Sequence, residues 1–411
     1  MIKFVYTSNS LKIGTLVQAL LFYPFIKTLG RELFKSKIAD FFNVTSENIF
    51  LFGSARMGLY SFLKAIDIHE TDEVILPGYT CVVVSNAVKY TGAKAVYADV
   101  NESTLNIEYE ALLKLINKNT KAIVIPHNFG IPTTYIGKLK EEYPNIYIIE
   151  DCAHTFGTEI NSKKVATFGD ASFISHEFSK VITTGMGGTL IVNNKHLRKK
   201  LQNSYKILKS YKYKDIFIIY LTLFTHTFTS YKYTAWSKGY LFAILRRLGL
   251  IFQSDNDELS GYRPTNYPVK LDNFLSYIGY LELKNLNNII KHNKKLSLKY
   301  QEIFENFDDI KTFYSKDIIY VRYPLLLQTD NFDKLIDELS KESDFEIGRW
   351  FNDVIHPRGS FRYCYTSGNC VEGEKISKRI INFPMSIHLS VDDIENNKNK
   401  IINIFRNNGI K

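Results

Sequence analysis

Cysteine is scarce in this chain. Four cysteines in 411 residues are too few and too scattered to staple a disulfide framework, and Cys364 and Cys370 lack a second pair at zinc spacing. No metal site is expected, and the shortage points to the reducing cytosol. The charge-free run Ile216 to Thr229 is too short and too rich in threonine for a membrane helix, which needs about 20 mainly apolar residues. Nucleic-acid modules are absent as well: the lysines are dispersed, and no RNP, zinc-finger or basic-helix pattern occurs. What the chain does have is apolar content, 45% of its residues, enough to bury a large core in a large and a small domain. A net charge of +10 favours anionic partners, a nucleotide-linked substrate or a membrane surface among them, and says nothing about fold.

The chemistry concentrates in Phe173-Ile-Ser-His-Glu-Phe-Ser-Lys180-Val-Ile-Thr-Thr-Gly-Met-Gly-Gly188. Here a β-like run ends in one lysine held between hydroxyls and a glycine turn. A lysine amine becomes a nucleophile for carbonyls only where a desolvated or cationic setting lowers its pKa. The short apolar runs on either side are compatible with buried strands. Upstream, Ile146-Tyr-Ile-Ile-Glu-Asp151-Cys-Ala-His154 reads as a buried parallel strand that delivers a carboxylate at its C-terminal edge, where ligands sit in open α/β sheets. A lysine bonded to the cofactor aldehyde and an aspartate paired with the pyridinium nitrogen are the two groups that pyridoxal 5′-phosphate (PLP) requires. His154 is then placed over or beside the ring. Taken singly, each residue has an ordinary explanation: a helix-capping aspartate, a solvated lysine, a satisfied core histidine.

The succession Gly53-Ser-Ala-Arg56, Leu76-Pro-Gly-Tyr-Thr80, Glu150-Asp-Cys-Ala-His154, Phe168-Gly-Asp-Ala171, Ser175 to Lys180 and Thr183-Thr-Gly-Met-Gly-Gly188 resembles the DegT/DnrJ/StrS sugar aminotransferases. The resemblance runs from about 38 to 205 and resumes from about 266. It implies the aspartate aminotransferase fold (fold type I): a large α/β domain with a mostly parallel central sheet flanked by helices, and a smaller α+β C-terminal domain. It implies PLP as cofactor, a keto-sugar carried on a nucleotide as acceptor, an amino acid, usually glutamate, as donor, and a homodimer. By the same resemblance Ser54, Ala55 and Ser175 hold the cofactor phosphate, while Lys180 and Asp151 are catalytic. The family usually has an aromatic residue stacked on the ring at position 81. Here that residue is Cys81, which leaves Tyr79 or His154 to make the contact. The family also often has glutamate where this chain has Met186.

In chain order, residues 1–35 are an N-terminal apolar helical segment. Its run Thr15 to Ile26 imitates a signal peptide, but Pro24 and aromatics stand where small residues belong, and an amphipathic helix follows at 31–42. Residues 36–204 form the cofactor-binding domain, whose alternating strands (94–98, 121–126) and helices (106–117, 136–143) imply a parallel sheet. A glycine turn at 53–56 opens a helix whose N–H groups suit phosphate; a plain N-cap by Ser54 is the alternative. Residues 263–411 hold a long helix from Phe274 to about Phe307 and the small domain, with a strand near 318–327 and helices near 332–341 and 391–405. Gly348-Arg-Trp350 and Ile355-His-Pro357 face the substrate. In the family an asparagine ahead of the long helix reaches the partner subunit's phosphate, often with an arginine two positions on; Asn266 matches, Pro268 replaces the arginine, and Lys270 is the substitute cation.

The insertion at 205–262 is the chain's peculiarity. Two apolar runs, 216–229 and 240–252, are flanked by Lys212, Lys214, Lys232 and Lys238, and the second is interrupted by Arg246 and Arg247. Such a hairpin suits peripheral contact of residues 205–259 with an anionic membrane from the cytoplasmic side. A lid or a dimer contact is the competing explanation.

Overall fold

The computed structural model describes residues 3–252, 256–328 and 332–411, so 1–2 of the N-terminal segment and 253–255 of the insertion lie outside the described residues. Seven strands build the central sheet: β1 (Ile49–Phe52), β2 (Glu73–Pro77), β3 (Lys94–Ala98), β4 (Thr120–Pro126), β5 (Tyr147–Asp151), β6 (Ala171–Ser175) and β7 (Gly188–Val192), in the spatial order β1-β7-β6-β5-β4-β2-β3. Pairing is parallel from β6 to β3, and β7 runs antiparallel to both β6 and β1. Runs such as Ala122-Ile-Val-Ile-Pro126, buried along their length, are what a sheet covered on both faces demands. Register then fixes the chemistry: Asp151 pairs with Pro126 on one side and Phe173 on the other, so that β6 carries Ser175 two residues beyond the aspartate.

Two close approaches hold the lysine segment against the sheet. The β7 backbone crosses the start of the helix Ala55–Ala65 so tightly that a β-carbon on Gly188 would stand 2.1 Å from the Ala55 nitrogen. The turn before β7 passes through Gly185 at a φ of +82°, a conformation that side chains oppose. Glu282, buried, accepts from the Thr183 N–H at 2.6 Å. Burial raises its pKa well above the usual carboxylate value.

The helix expected to run on from Phe274 is two helices, Asn273–Leu283 and Leu286–Phe304. At the break, Asn285 leaves helical geometry and its side chain accepts from Asn288 at 2.7 Å, the local competition for which asparagine is unfavourable inside helices. The first helix is buried almost throughout, whereas the second is amphipathic and covers the small domain. That domain is an antiparallel sheet of β8 (Ile310–Thr312), β9 (Tyr323–Leu327) and β10 (Ile380–Phe383), with the helix Val391–Asn407 packed alongside. The helix expected over 106–117 is confined to Tyr109–Leu113.

The N-terminal segment forms the helices Ile13–Ile26 and Gly30–Phe42. The first turns Leu16 and Ala19 inward and leaves Leu20, Leu21 and Phe25 exposed. In the insertion, the helix Tyr213–Phe228 buries Ile216, Ile219 and Leu223, while Lys238–Arg247 buries none of its residues. No single helix among the described residues is long and apolar enough to cross a membrane.

Candidate active site

A cavity of about 290 Å³ opens at the carboxyl edge of β5 and β6 and is closed from the other side by Trp350, Phe351, His356 and Pro357. Lys180 enters from the turn after β6. Its side chain is buried, with Nζ 4.2 Å from the centre of the Trp350 ring, and among the described residues it makes no hydrogen bond or ion pair. Burial brings its pKa down from the ordinary lysine value to about 8; Glu177 opposes the shift and Arg322 adds to it. An amine that gives up its proton near neutrality is what nucleophilic attack on a carbonyl requires.

Asp151 stands at the end of β5 in the same cavity. One carboxylate oxygen accepts from the Ala153 N–H at 2.9 Å, and burial raises the group to about 6, partly offset by that bond and by Lys180. No cation is within ion-pair distance among the described residues, which leaves the carboxylate to a positively charged ligand. His154 accepts from the Phe129 N–H through Nδ1 at 3.2 Å, so its ring proton is on Nε2. Burial, with Lys180 next in effect, holds its pKa well below the usual histidine value. Its neutral ring lies 4.5 Å from that of Trp350.

The part of the cavity lined by Ala55 and Ser175 suits an anion, with Ser54 adjoining Ala55 but not itself among the lining residues. Ser54 precedes the helix Ala55–Ala65 in extended conformation, and its buried hydroxyl has no partner among the described residues; it does not cap the helix, contrary to the plainer alternative. Ala55 and Ser175 line the wall, and the Ser175 side chain is likewise free of hydrogen bonds among the described residues. Helix N–H groups and unused hydroxyls together suit a phosphate.

Tyr79 is a correction. It does not face the cavity: its ring is fully buried in the cluster beneath the small domain, and its hydroxyl donates to the Phe351 carbonyl at 3.1 Å. Turning inward secures both apolar burial and a hydrogen bond for the phenol. Cys81 lines the cavity instead, and the aromatic wall comes from Trp350. Lys270, expected to serve the partner subunit's phosphate, lies outside this chain's cavity: its amine donates to the Lys206 carbonyl at 2.8 Å and sits over the Tyr205 ring. Asn266 is exposed and does not line the cavity.

Three features escaped sequence reasoning. Arg56, inside a quoted motif, lines the cavity and is paired with Glu258. Arg322 is buried, with its guanidinium carbon 3.4 Å from the Trp350 ring centre. It donates to the Tyr6 carbonyl and the Ser179 hydroxyl, and burial brings it down to about 10. An arginine opening the apolar strand Tyr323–Leu327 was a legible signal of burial. Finally, His127, Glu150 and Cys152 cluster closely enough for a metal ion. Glu150, however, already accepts from the N–H groups of Ala166, Phe168 and Gly169 and meets His127 at 3.1 Å, which explains the group as a brace for the sheet.

The model of the DegT/DnrJ/EryC1/StrS aminotransferase family matches residues 25–402. This chain belongs to that family. An uncharacterized protein of Methanocaldococcus jannaschii, MJ1066, is 28% identical over 90% of the chain and 87% of its own length. The GDP-perosamine synthase of Escherichia coli O157:H7 is 39% identical over 34% of the chain and 39% of its own length. In fold, the chain is similar to PseC of Helicobacter pylori, described as an aminotransferase in pseudoaminic acid biosynthesis, with a TM-score of 0.73, 18% identity and coverage of 98% and 100%. It is equally similar, at 0.73, 16% and coverage of 98% and 99%, to an E. coli GDP-4-keto-6-deoxy-D-mannose-3-dehydratase with bound hydrated PLP. The architecture is that of fold type I aminotransferases.

The cofactor of the family is PLP, and the residues present fit it. Lys180 matches its aldehyde, Asp151 its ring nitrogen, and the orphaned Ser54 hydroxyl with Ser175 and the helix start matches its phosphate. Because the neutral amine is the reactive form, capture of PLP by the cofactor-free protein should accelerate as pH rises through about 8 and level off above it. Stopped-flow absorbance measures this; Lys180→Ala should show no slow covalent phase at any pH.

Proposed function

We propose that this aminotransferase moves an amino group from glutamate to the ketone of a nucleotide-linked sugar, in the synthesis of a cell-surface polysaccharide or glycoconjugate. The observation that carries the reading is the meeting, in one cavity, of a buried lysine amine without a hydrogen-bond partner, on the turn after β6, with a carboxylate that has no cation beside it among the described residues, at the end of the neighbouring strand β5. When bound, PLP supplies the aldehyde and an electron sink. Lys180 Nζ, neutral above about pH 8, takes a proton from the α-carbon of the amino donor and later returns one to the former ketone carbon of the sugar. Asp151, ionised above about pH 6, holds positive charge at the ring nitrogen. His154 and Trp350 line the same cavity and would help keep water from a bound substrate.

Relatives named as GDP-perosamine synthases support the nucleotide-linked sugar. A second reading is a dehydratase, the activity expected of relatives in which a histidine replaces the lysine. Against it, Lys180 is present, and His176 is engaged through both nitrogens, with Thr189 at 2.7 Å and the Ile182 carbonyl at 3.2 Å. A lipid-linked acceptor keeps the same chemistry and would use the insertion. Asp151→Asn should bind PLP yet lose roughly a hundredfold or more in turnover, the scale of a lost preorganised electrostatic partner, because a neutral amide cannot hold the charge at the ring nitrogen. Glutamate with a panel of nucleotide keto-sugars, read by mass, checks both turnover and acceptor class; near-normal turnover of the variant would count against Asp151.

The cytoplasmic setting, the homodimer and the peripheral membrane contact through 205–259 belong to the same proposal. The helix Lys238–Arg247 leaves Tyr240 and Ile244 exposed beside Arg246 and Arg247. Of the six flanking cations, Lys232 is engaged by Asp393 at 2.6 Å and Lys238 by Thr7 at 2.6 Å. Lys212, Lys214, Arg246 and Arg247 remain to meet an anionic leaflet, at about 1 kcal/mol each before screening. The protein should therefore sediment with anionic liposomes at low salt and release at high salt, and a variant with both arginines changed to glutamate should stay in the supernatant. If no liposome retains the wild type while light scattering shows that the same variant weakens a dimer, the apolar surface belongs to the subunit contact.

A further inference from the structure

Arg56 sits in the first turn of the helix Ala55–Ala65, lines the cavity of Lys180, and commits its charge to one carboxylate. That carboxylate is Glu258, almost fully buried, reached by Nε at 2.6 Å and by a second bond from Nη2. Burial alone would make Arg56 less basic; Glu258 outweighs it and holds the guanidinium charged.

Glu258 arrives on a strap at the end of the insertion. The strap is stitched to the helix Val82–Lys89 and its following residue by the side chains of Asn86, Lys89 and Tyr90, which donate to the carbonyls of Glu258, Gly261 and Tyr262. Its Leu259 forms part of the cavity wall. Of these bonds the one from Asn86 is buried, that from Lys89 part-buried and that from Tyr90 exposed; each neutral carbonyl acceptor is a modest fastening next to a buried ion pair.

Among the described residues that line this cavity, Arg56 and Lys180 are the lysine and arginine side chains, and Lys180 is reserved for the aldehyde. A phosphate on the Ser54 hydroxyl and the Ala55 N–H would therefore lie beside a guanidinium already neutralised from within. Two anions at one desolvated cation repel each other, so one must move. We propose that Arg56 is the cation that receives the cofactor phosphate from within the same chain, and that Glu258 is its displaceable counter-ion, so that loading of PLP loosens the 256–263 strap. The proposal rests on the cofactor and not on the identity of the sugar.

Hydrogen exchange and equilibrium binding test it, with pyridoxal as the control that lacks the phosphate. In cofactor-free wild type, PLP should speed amide exchange across 256–263 and pyridoxal should not. Glu258→Gln, which keeps shape and loses charge, should bind PLP about tenfold more tightly with pyridoxal affinity unchanged. Arg56→Met should lose about tenfold or more for PLP alone. If PLP leaves exchange of the strap unchanged and Glu258→Gln leaves the PLP-to-pyridoxal ratio at its wild-type value, the pair is a structural tie and the proposal falls. Should Arg56→Met fail to fold, the wild-type exchange comparison still decides. Failure of wild type to bind either compound would overturn the cofactor assignment and the proposal together.

Discussion

An amine taken out of water without a partner holds its proton weakly, and the position of Lys180 is arranged to keep that condition. Trp350 covers it, Arg322 adds a second buried cation behind that ring, and Asp151 stays outside ion-pair distance. Each contact has a structural cost that the rest of the fold absorbs. The turn carrying Lys180 needs Gly185 at positive φ, Gly188 against the Ala55 nitrogen, and a buried Glu282 to hold the Thr183 N–H. These supports fix the backbone on either side of the turn that carries the amine.

Much of this was legible before any coordinates. Strands buried on both faces must be apolar throughout, so β4 and β5 announce themselves, and a carboxylate at the end of such a strand stands out as Asp151 does. Lys180 was legible for the same reason: hydroxyls, glycines and apolar flanks surround it where a solvated lysine would have polar neighbours. Both residues and His154 line one cavity with Ser175 and Ala55.

What was not legible depends on contacts between distant segments. Tyr79 lies two residues from a cavity-lining position, yet its hydroxyl finds the Phe351 carbonyl 272 residues away and the ring turns inward. The break at Asn285 leaves the apolar period intact on both sides, so periodicity carries across it. Flanking charges on the insertion looked equivalent in sequence, but Lys232 is held by Asp393 and Lys238 by Thr7. Likewise Arg56 read as one letter of a phosphate motif, while Glu258, its partner, sat in a segment with no motif at all.

The assignment of the reactive amine is the claim on which the rest hangs. Borohydride reduction of the PLP-loaded protein, followed by proteolysis and mass spectrometry of the lysine-containing peptides, tests it most directly. The structure predicts that the cofactor mass is found on Lys180 alone. A cofactor-bearing peptide containing any other of the chain's lysines, with Lys180 unmodified, would contradict it.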